Sequence, residues 1–295
     1  MSSQEVFTGD AQIIDRGYRK YDGVRTGVFG AQRAVFRHSV QRALGMRRTI
    51  WAKLLPIATI GFAYVPAIVF VGIVALFPKA DTAGLVLPSY GDYYGFIIAA
   101  IMAFVALVAP EVLCTDRRSG MLGIYLAAPL NRDTYLIAKS AAIGFVVSLV
   151  CLGPPLFMFL ANVLQSQGPE GAGETLSTLG SVLLAGLLTT ALYTGITVGI
   201  TSLTDRKFIA MAAIIMLFLV TISTAGMIDG VGGPRGIYCF APTMLSLEIA
   251  LRVHGESSII MYDVPSSTLY VAWAVWTFGG FAIARNRLRR LPVTR

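Results

Sequence analysis

Glu111, Asp116, Arg117, Arg118, Arg132 and Lys139 gather ionisable groups into one stretch, residues 111 to 139, of an otherwise oily chain. Carboxylates and cationic groups at this spacing can form ion pairs or a polar docking surface, but catalysis needs more. The two histidines, His38 and His254, lie far apart and share no acid-base constellation, and no familiar nucleophile motif is present. Cys114, Cys151 and Cys239 lack metal-ligand spacing, so no metal is expected. There is no Gly-x-x-x-x-Gly-Lys-Ser/Thr phosphate loop, and no Gly-Lys dipeptide at all. The chain is therefore not expected to be an enzyme or to hold a cofactor of its own.

The elements that must position these charges are membrane helices. Of 295 residues 55% are hydrophobic and 14% charged, with a mean hydropathy of +0.69, which is membrane-protein composition. A helix rising 1.5 Å per residue needs about 20 residues to cross roughly 30 Å of hydrocarbon. Six apolar stretches suffice: residues 54–77, 95–113, 140–164, 176–203, 208–228 and 267–284, the last with Tyr270, Trp273 and Trp276 as an aromatic belt. None alternates with period two, so a membrane barrel is a poor alternative. The expected fold is an all-α integral membrane protein.

The basic residues orient it. Segments 1–53, 114–139, 204–207 and 285–295 hold 10, 4, 2 and 5 Lys plus Arg, which is 21 of 24. The positive-inside rule then puts both termini in the cytoplasm. The net charge of +8 is thus a topology signal and does not indicate nucleic-acid binding. The first span is too long for a signal h-region and follows a mostly polar, basic segment, so it should remain as an anchor. The three cysteines fall in three compartments of this topology and cannot form a disulfide framework.

Residues 114–139 must lie outside the membrane. Their charges would each cost about 2.5 to 3.5 kcal/mol at mid-bilayer, leaving the segment unfavourable by roughly 10 kcal/mol. Within it, Met121, Leu122, Ile124, Tyr125 and Leu126 form a helical cluster between a break at Gly120 and Pro129. This short helix, joined directly to two spans, either offers a handle to a soluble partner or rests on the inner leaflet. Glu111, near the end of the second span, needs a partner, with Arg117 and Lys139 in reach.

The run Glu111, Asp116-Arg-Arg-Ser-Gly-Met-Leu, Ala128-Pro-Leu-Asn-Arg, Tyr135 and Lys139 resembles the cytoplasmic loop of type-2 exporter permeases of the ATP-binding cassette (ABC) class. Those loops show a Glu, a basic-rich stretch ending in Gly, a short apolar helix, a small residue before Pro, and a Lys opening the next span. The overall plan matches over nearly all of the chain beyond residue 24, although the distinctive motif covers only residues 111–139. Gly123 stands where the short helix often carries an acidic residue, a departure that bears on the partner contacts there.

The resemblance implies a permease that pairs with a second, identical or different, permease subunit. It also implies docking of a separate cytoplasmic ATPase that binds ATP-Mg and drives export, here of a small or amphiphilic molecule. Coupling to that ATPase would fall to Glu111, Asp116, Arg117, Arg118, Gly120, Leu122, Pro129, Arg132 and Lys139. The expected location is the plasma or inner membrane of a prokaryotic cell. A mechanotransmitting subunit acting on an external partner is the alternative. An ion-coupled transporter fits less well, because the centres of the spans hold essentially no charge.

Four further features lie outside the charged stretch. Residues 1–23 form a polar tail, and residues 24–53 read as an amphipathic helix in the inner interface, in contact with membrane lipid, or as a basic flank that only fixes topology. Thr190, Thr194, Thr197 and Thr201 share one helix face near Gly195 and Gly199, as a packing seam or as a stripe lining a substrate path. Pro154 and Pro155 predict a kink in the third span. Residues 241–253, inside the long segment 229–266, have room for a surface or re-entrant helix but not a crossing. His254 and Glu256 beside it read as solvated loop residues.

Overall fold

A computed structural model describes residues 23, 27–46, 50–76, 88–127, 129–169, 171–256, 258 and 260–290. The polar tail up to residue 22, the end of the basic tail (291–295) and part of the connection after the first span lie outside them. Among the described residues all regular structure is helical: α1 (Gly27–Ala43), α2 (Ile50–Leu76), α3 (Tyr93–Arg118), α4 (Met121–Ala127), α5 (Arg132–Cys151), α6 (Gly153–Leu164), α7 (Ala172–Leu203), α8 (Lys207–Gly230), a 3-10 turn (Arg235–Phe240), α9 (Pro242–Val253) and α10 (Ser266–Arg290). Six of these, α2, α3, α5, α7, α8 and α10, are long and apolar enough to cross a membrane.

α3 and α7 form the centre, with two thirds of their apolar windows (67%) buried, whereas α2 (11%) keeps most of its apolar surface outward. That surface has no water-compatible use, and lipid or a second chain is its natural neighbour. α7 packs most extensively on α10. Gly195 and Gly199 face the α10 backbone at Thr277 and Gly280 so closely that a Cβ at Gly199 would stand 2.8 Å from Gly280 Cα. Thr197 and Thr201 turn their hydroxyls back to the carbonyls of Tyr193 and Thr197, at 2.7 and 2.6 Å.

Three expectations are sharpened by the structure. The break expected at Pro154 and Pro155 is a one-residue interruption at Leu152: α5 ends at Cys151, and α6 starts at Gly153 with the two prolines in its first turn. A proline there costs no helical hydrogen bond, while Pro in mid-helix would cost one. The spans flanking the charged stretch also reach further into it, to Arg118 on α3 and from Arg132 on α5. α5 starts at a reciprocal cap: the Asn131 side chain accepts from the Thr134 N–H (2.8 Å) and the Thr134 hydroxyl accepts from the Asn131 N–H (2.9 Å). The charge-by-charge cost treated each group as unpaired, whereas Asp116, Arg117, Asp133 and Lys139 have ion-pair partners in the fold. Finally, α1 turns part of its apolar side to the bundle and leaves part of it, Val28 and Phe29, exposed. Val35, Ser39 and Ala43 are buried, and Phe36 packs edge-on against Phe145 of α5 at 5.9 Å, leaving Phe29, Arg33 and Arg37 outward.

α9 is a short helix held against the bundle, with Leu245, Ser246, Glu248 and Ile249 buried and the Tyr193 hydroxyl 2.9 Å from that of Ser246. Beyond it, the Glu256 carboxylate accepts from the Ser89 hydroxyl (2.7 Å) and the Gly91 N–H (3.3 Å), latching the start of α10's connection to the start of α3. Burial pushes the Glu256 carboxyl above its usual range, against the two donors, and Asp92 adds to the upward push. A raised pKa means that this group stabilises the fold most in acid, and its contribution is lost as pH rises through the folded value. Glu256→Gln should therefore flatten the pH dependence of thermal unfolding above the normal glutamate range. A variant whose profile matches the parent would show that the latch does not titrate this way.

Candidate functional site

The charged stretch folds into a junction where α3, α4 and α5 meet. Gly120, with φ +70° and nothing within 4 Å of where its Cβ would stand, makes the left-handed turn that reverses the chain from α3 into α4. On α4, Leu122 and Tyr125 lean on the core while Ile124 is 65% exposed. Arg118, Ser119, Gly120 and Pro129 are exposed around it.

Beneath this tip lies a buried charge network. Asp116 is 0% exposed and receives three donors: Arg42 Nη1 of α1 at 2.9 Å, Lys139 Nζ of α5 at 2.5 Å and the Tyr135 hydroxyl at 3.1 Å. Lys139 is also 0% exposed, with its ammonium 5.5 Å from the ring centre of Tyr125 and 5.7 Å from that of Tyr135. An ammonium this far from water needs a carboxylate, and the two rings add cation-π attraction. Burial and the neighbouring Asp116 hold the Tyr125 phenol above its ordinary pKa, so at neutral pH it meets Lys139 as an uncharged ring.

Glu111, also buried, binds Lys207 of α8 at 2.5 Å and lies 3.7 Å from Arg42. Arg42 therefore bridges Glu111 and Asp116. The expected partners of Glu111, Arg117 and Lys139, are both engaged elsewhere. Arg117 stands six residues on, on another face of the helix. It donates to the carbonyls of Ser202 (2.5 Å) and Thr204 (3.2 Å) and lies 3.7 Å from Asp205, closing the α7–α8 turn. Arg132 donates to the carbonyls of Leu288 (2.8 Å) and Arg289, and Asp133 pairs with Arg285 and Arg289 at 3.0 Å, clamping the end of α10.

The sequence-derived set thus divides. Glu111, Asp116 and Lys139 belong to the buried network; Arg118, Gly120 and Pro129 lie at the exposed tip, with Leu122 behind it. Arg117 and Arg132 fasten neighbouring helices. Thr190, Thr194 and Thr197 stand apart on α7, buried, with Thr194 Oγ1 facing Gly144 of α5. Sequence reasoning missed Arg42, Lys207 and Tyr125 as members of the site. The only signal they gave was their placement among inner-side basic residues and in the α4 apolar cluster.

Among the described residues no group of three or more His, Cys, Asp and Glu side chains could hold a metal ion. In geometry, an exposed tip rests on a charge network that is buried at Asp116 and Lys139 and joins α1, α3, α5 and α8. No curated protein sequence matches the chain significantly. A family model for ABC-2 family transporter protein matches residues 8–235, which takes in α1 through α8 and the whole junction. Six apolar helices, a charged junction between the second and third, and this match over most of the chain agree: the protein is a multi-pass membrane protein that belongs to the ABC-2 transporter family, whose membrane subunits are not themselves ATPases.

Proposed function

We propose that this chain is the permease of an ATP-driven exporter for a small or amphiphilic molecule, worked by a separate cytoplasmic ATPase that binds ATP-Mg and docks on α4. The observation that carries this reading is the exposed Ile124 of α4, whose neighbour Tyr125 lies against the Lys139 ammonium of the Asp116–Lys139 pair. A push on α4 moves Tyr125 against Lys139, and Lys139 transmits it through Asp116 to α3 and Arg42. From there Glu111 and Lys207 extend the tie to α8. Two such chains pair through outward apolar helix faces, with the junctions and both termini on the cytoplasmic side of a prokaryotic plasma or inner membrane. The Thr190, Thr194 and Thr197 stripe would meet substrate only if α7 parts from α5 during the cycle.

The test separates dock from scaffold. Arg118 and Ile124 are exposed, whereas Arg117 is tied to the α7 end. Arg118→Glu with Ile124→Asp should leave the chain folded in the membrane, abolish co-purification of a phosphate-loop ATPase in mild detergent, and lower ATP-dependent export at least about tenfold, a loss of roughly 1.4 kcal/mol of coupling. An ATPase that co-purifies unchanged with this variant would remove α4 as the dock.

A further inference from the structure

At the end of the bundle opposite α4, a cavity of about 440 Å³ opens between α2, the first turn of α3 and α9. Its size is that of a small-molecule site. Phe70 and Phe96, whose rings meet edge-on at 5.2 Å, make one wall, and Met244 and Leu247 of α9 make another. Two carboxylates border this apolar space. Glu248 is already neutralised by Arg252 Nε at 2.6 Å. Asp92 is not: it precedes α3 without making a side-chain cap, and among the described residues no cation lies against its carboxylate.

We propose that this cavity binds a hydrophobic organic cation, of the tertiary or quaternary ammonium or phosphonium class, with its apolar body between the phenyl rings and α9 and its charge toward Asp92. A carboxylate that meets no cation among the described residues, beside an apolar hollow, repels anions and gains nothing from a neutral hydrocarbon, whereas a poorly hydrated cation loses little on leaving water and gains both the carboxylate and the ring faces. A compact, strongly hydrated cation such as a metal ion finds too few oxygens here. The place of this site on an export path rests on the exporter reading above. Binding does not, because it needs neither ATPase nor nucleotide.

The experiment uses the purified chain in nanodiscs of zwitterionic lipid, without nucleotide, and compares tetraphenylphosphonium with its anionic counterpart tetraphenylborate against empty discs. Saturable binding of the phosphonium alone is expected. Asp92→Asn should weaken it about fivefold, the usual worth of a rim ion pair. Gly95→Leu should weaken it further by filling the hollow, since a Cβ at Gly95 meets only Leu247 Cδ1, at 3.9 Å. Equal binding of the borate would mean a hollow for lipid tails, and no saturable binding would mean that lipid, chain or a second copy covers it; either overturns the proposal. So does a folded Asp92→Asn with unchanged affinity. If that variant fails to fold, unchanged binding by Gly95→Leu overturns it alone.

Discussion

Asp116→Leu is expected to destabilise the protein by about 3 to 5 kcal/mol, the usual cost of stranding one member of a buried ion pair. The variant leaves the Lys139 ammonium fully buried with only aromatic faces for company, and removes the acceptor of the Tyr135 hydroxyl. Lys139→Met should cost clearly less, because Asp116 keeps Arg42 at 2.9 Å and Tyr135 at 3.1 Å. Replacing both by apolar residues of similar volume removes both desolvation penalties, so the double variant should regain most of the lost stability. It should not regain transport, since the link from α4 through Lys139 to α3 is gone. Thermal unfolding in detergent reads the first quantity and ATP-dependent transport in vesicles the second. An Asp116→Leu chain as stable as the parent would deny the buried pair, and full transport in the double variant would reduce it to a structural contact.

How much of this was legible depends on range. Apolar runs of span length and the clustering of Lys and Arg are local or additive signals, and they located six helices and a charged junction between the second and third. The short helix behind Gly120 was legible for the same reason, because a glycine break, an apolar cluster and Pro129 lie within a few residues. Partner choice was not. Arg42 reaches Asp116 across 74 positions, Lys207 reaches Glu111 across 96, and Arg285 reaches Asp133 across 152. Which cation meets which carboxylate follows from how α1, α8 and α10 lie on α3 and α5, and periodicity within one helix carries no trace of that. The interruption between α5 and α6 was legible from the proline pair, but whether it closes one helix and opens another was not, because such a pair fits either the first turn of a new helix or the bend of an old one. How α1 divides its apolar residues between the bundle and its outward face was not legible either, because an amphipathic helix does not declare which apolar surface will cover it.

Gly280→Val is the second large effect expected, and its neighbour supplies the control. Gly195 and Gly199 announced a close approach, but nothing in the sequence named the facing residue; the structure gives it as the α10 backbone at Thr277 and Gly280. A Cβ at Gly280 would run into the Gly195 carbonyl, and backbone cannot swing aside as a side-chain tip can. α7 and α10 would have to separate along the most extensive helix contact in the fold. Overpacking of this kind typically costs about 1 to 3 kcal/mol, and the upper end applies where both obstructing groups are main chain. A cost of that size is read as a lower unfolding midpoint and faster proteolysis in detergent. Gly279→Val adds the same atoms to the same helix one residue earlier, where nothing lies within 4 Å, and should leave both measures close to the parent. If the two valines behave alike, helix propensity and not the α7–α10 seam governs this position. If only Gly280→Val fails, the stripe of small residues on α7 is a structural seam with α10, and any path for substrate must be sought on another face of that helix.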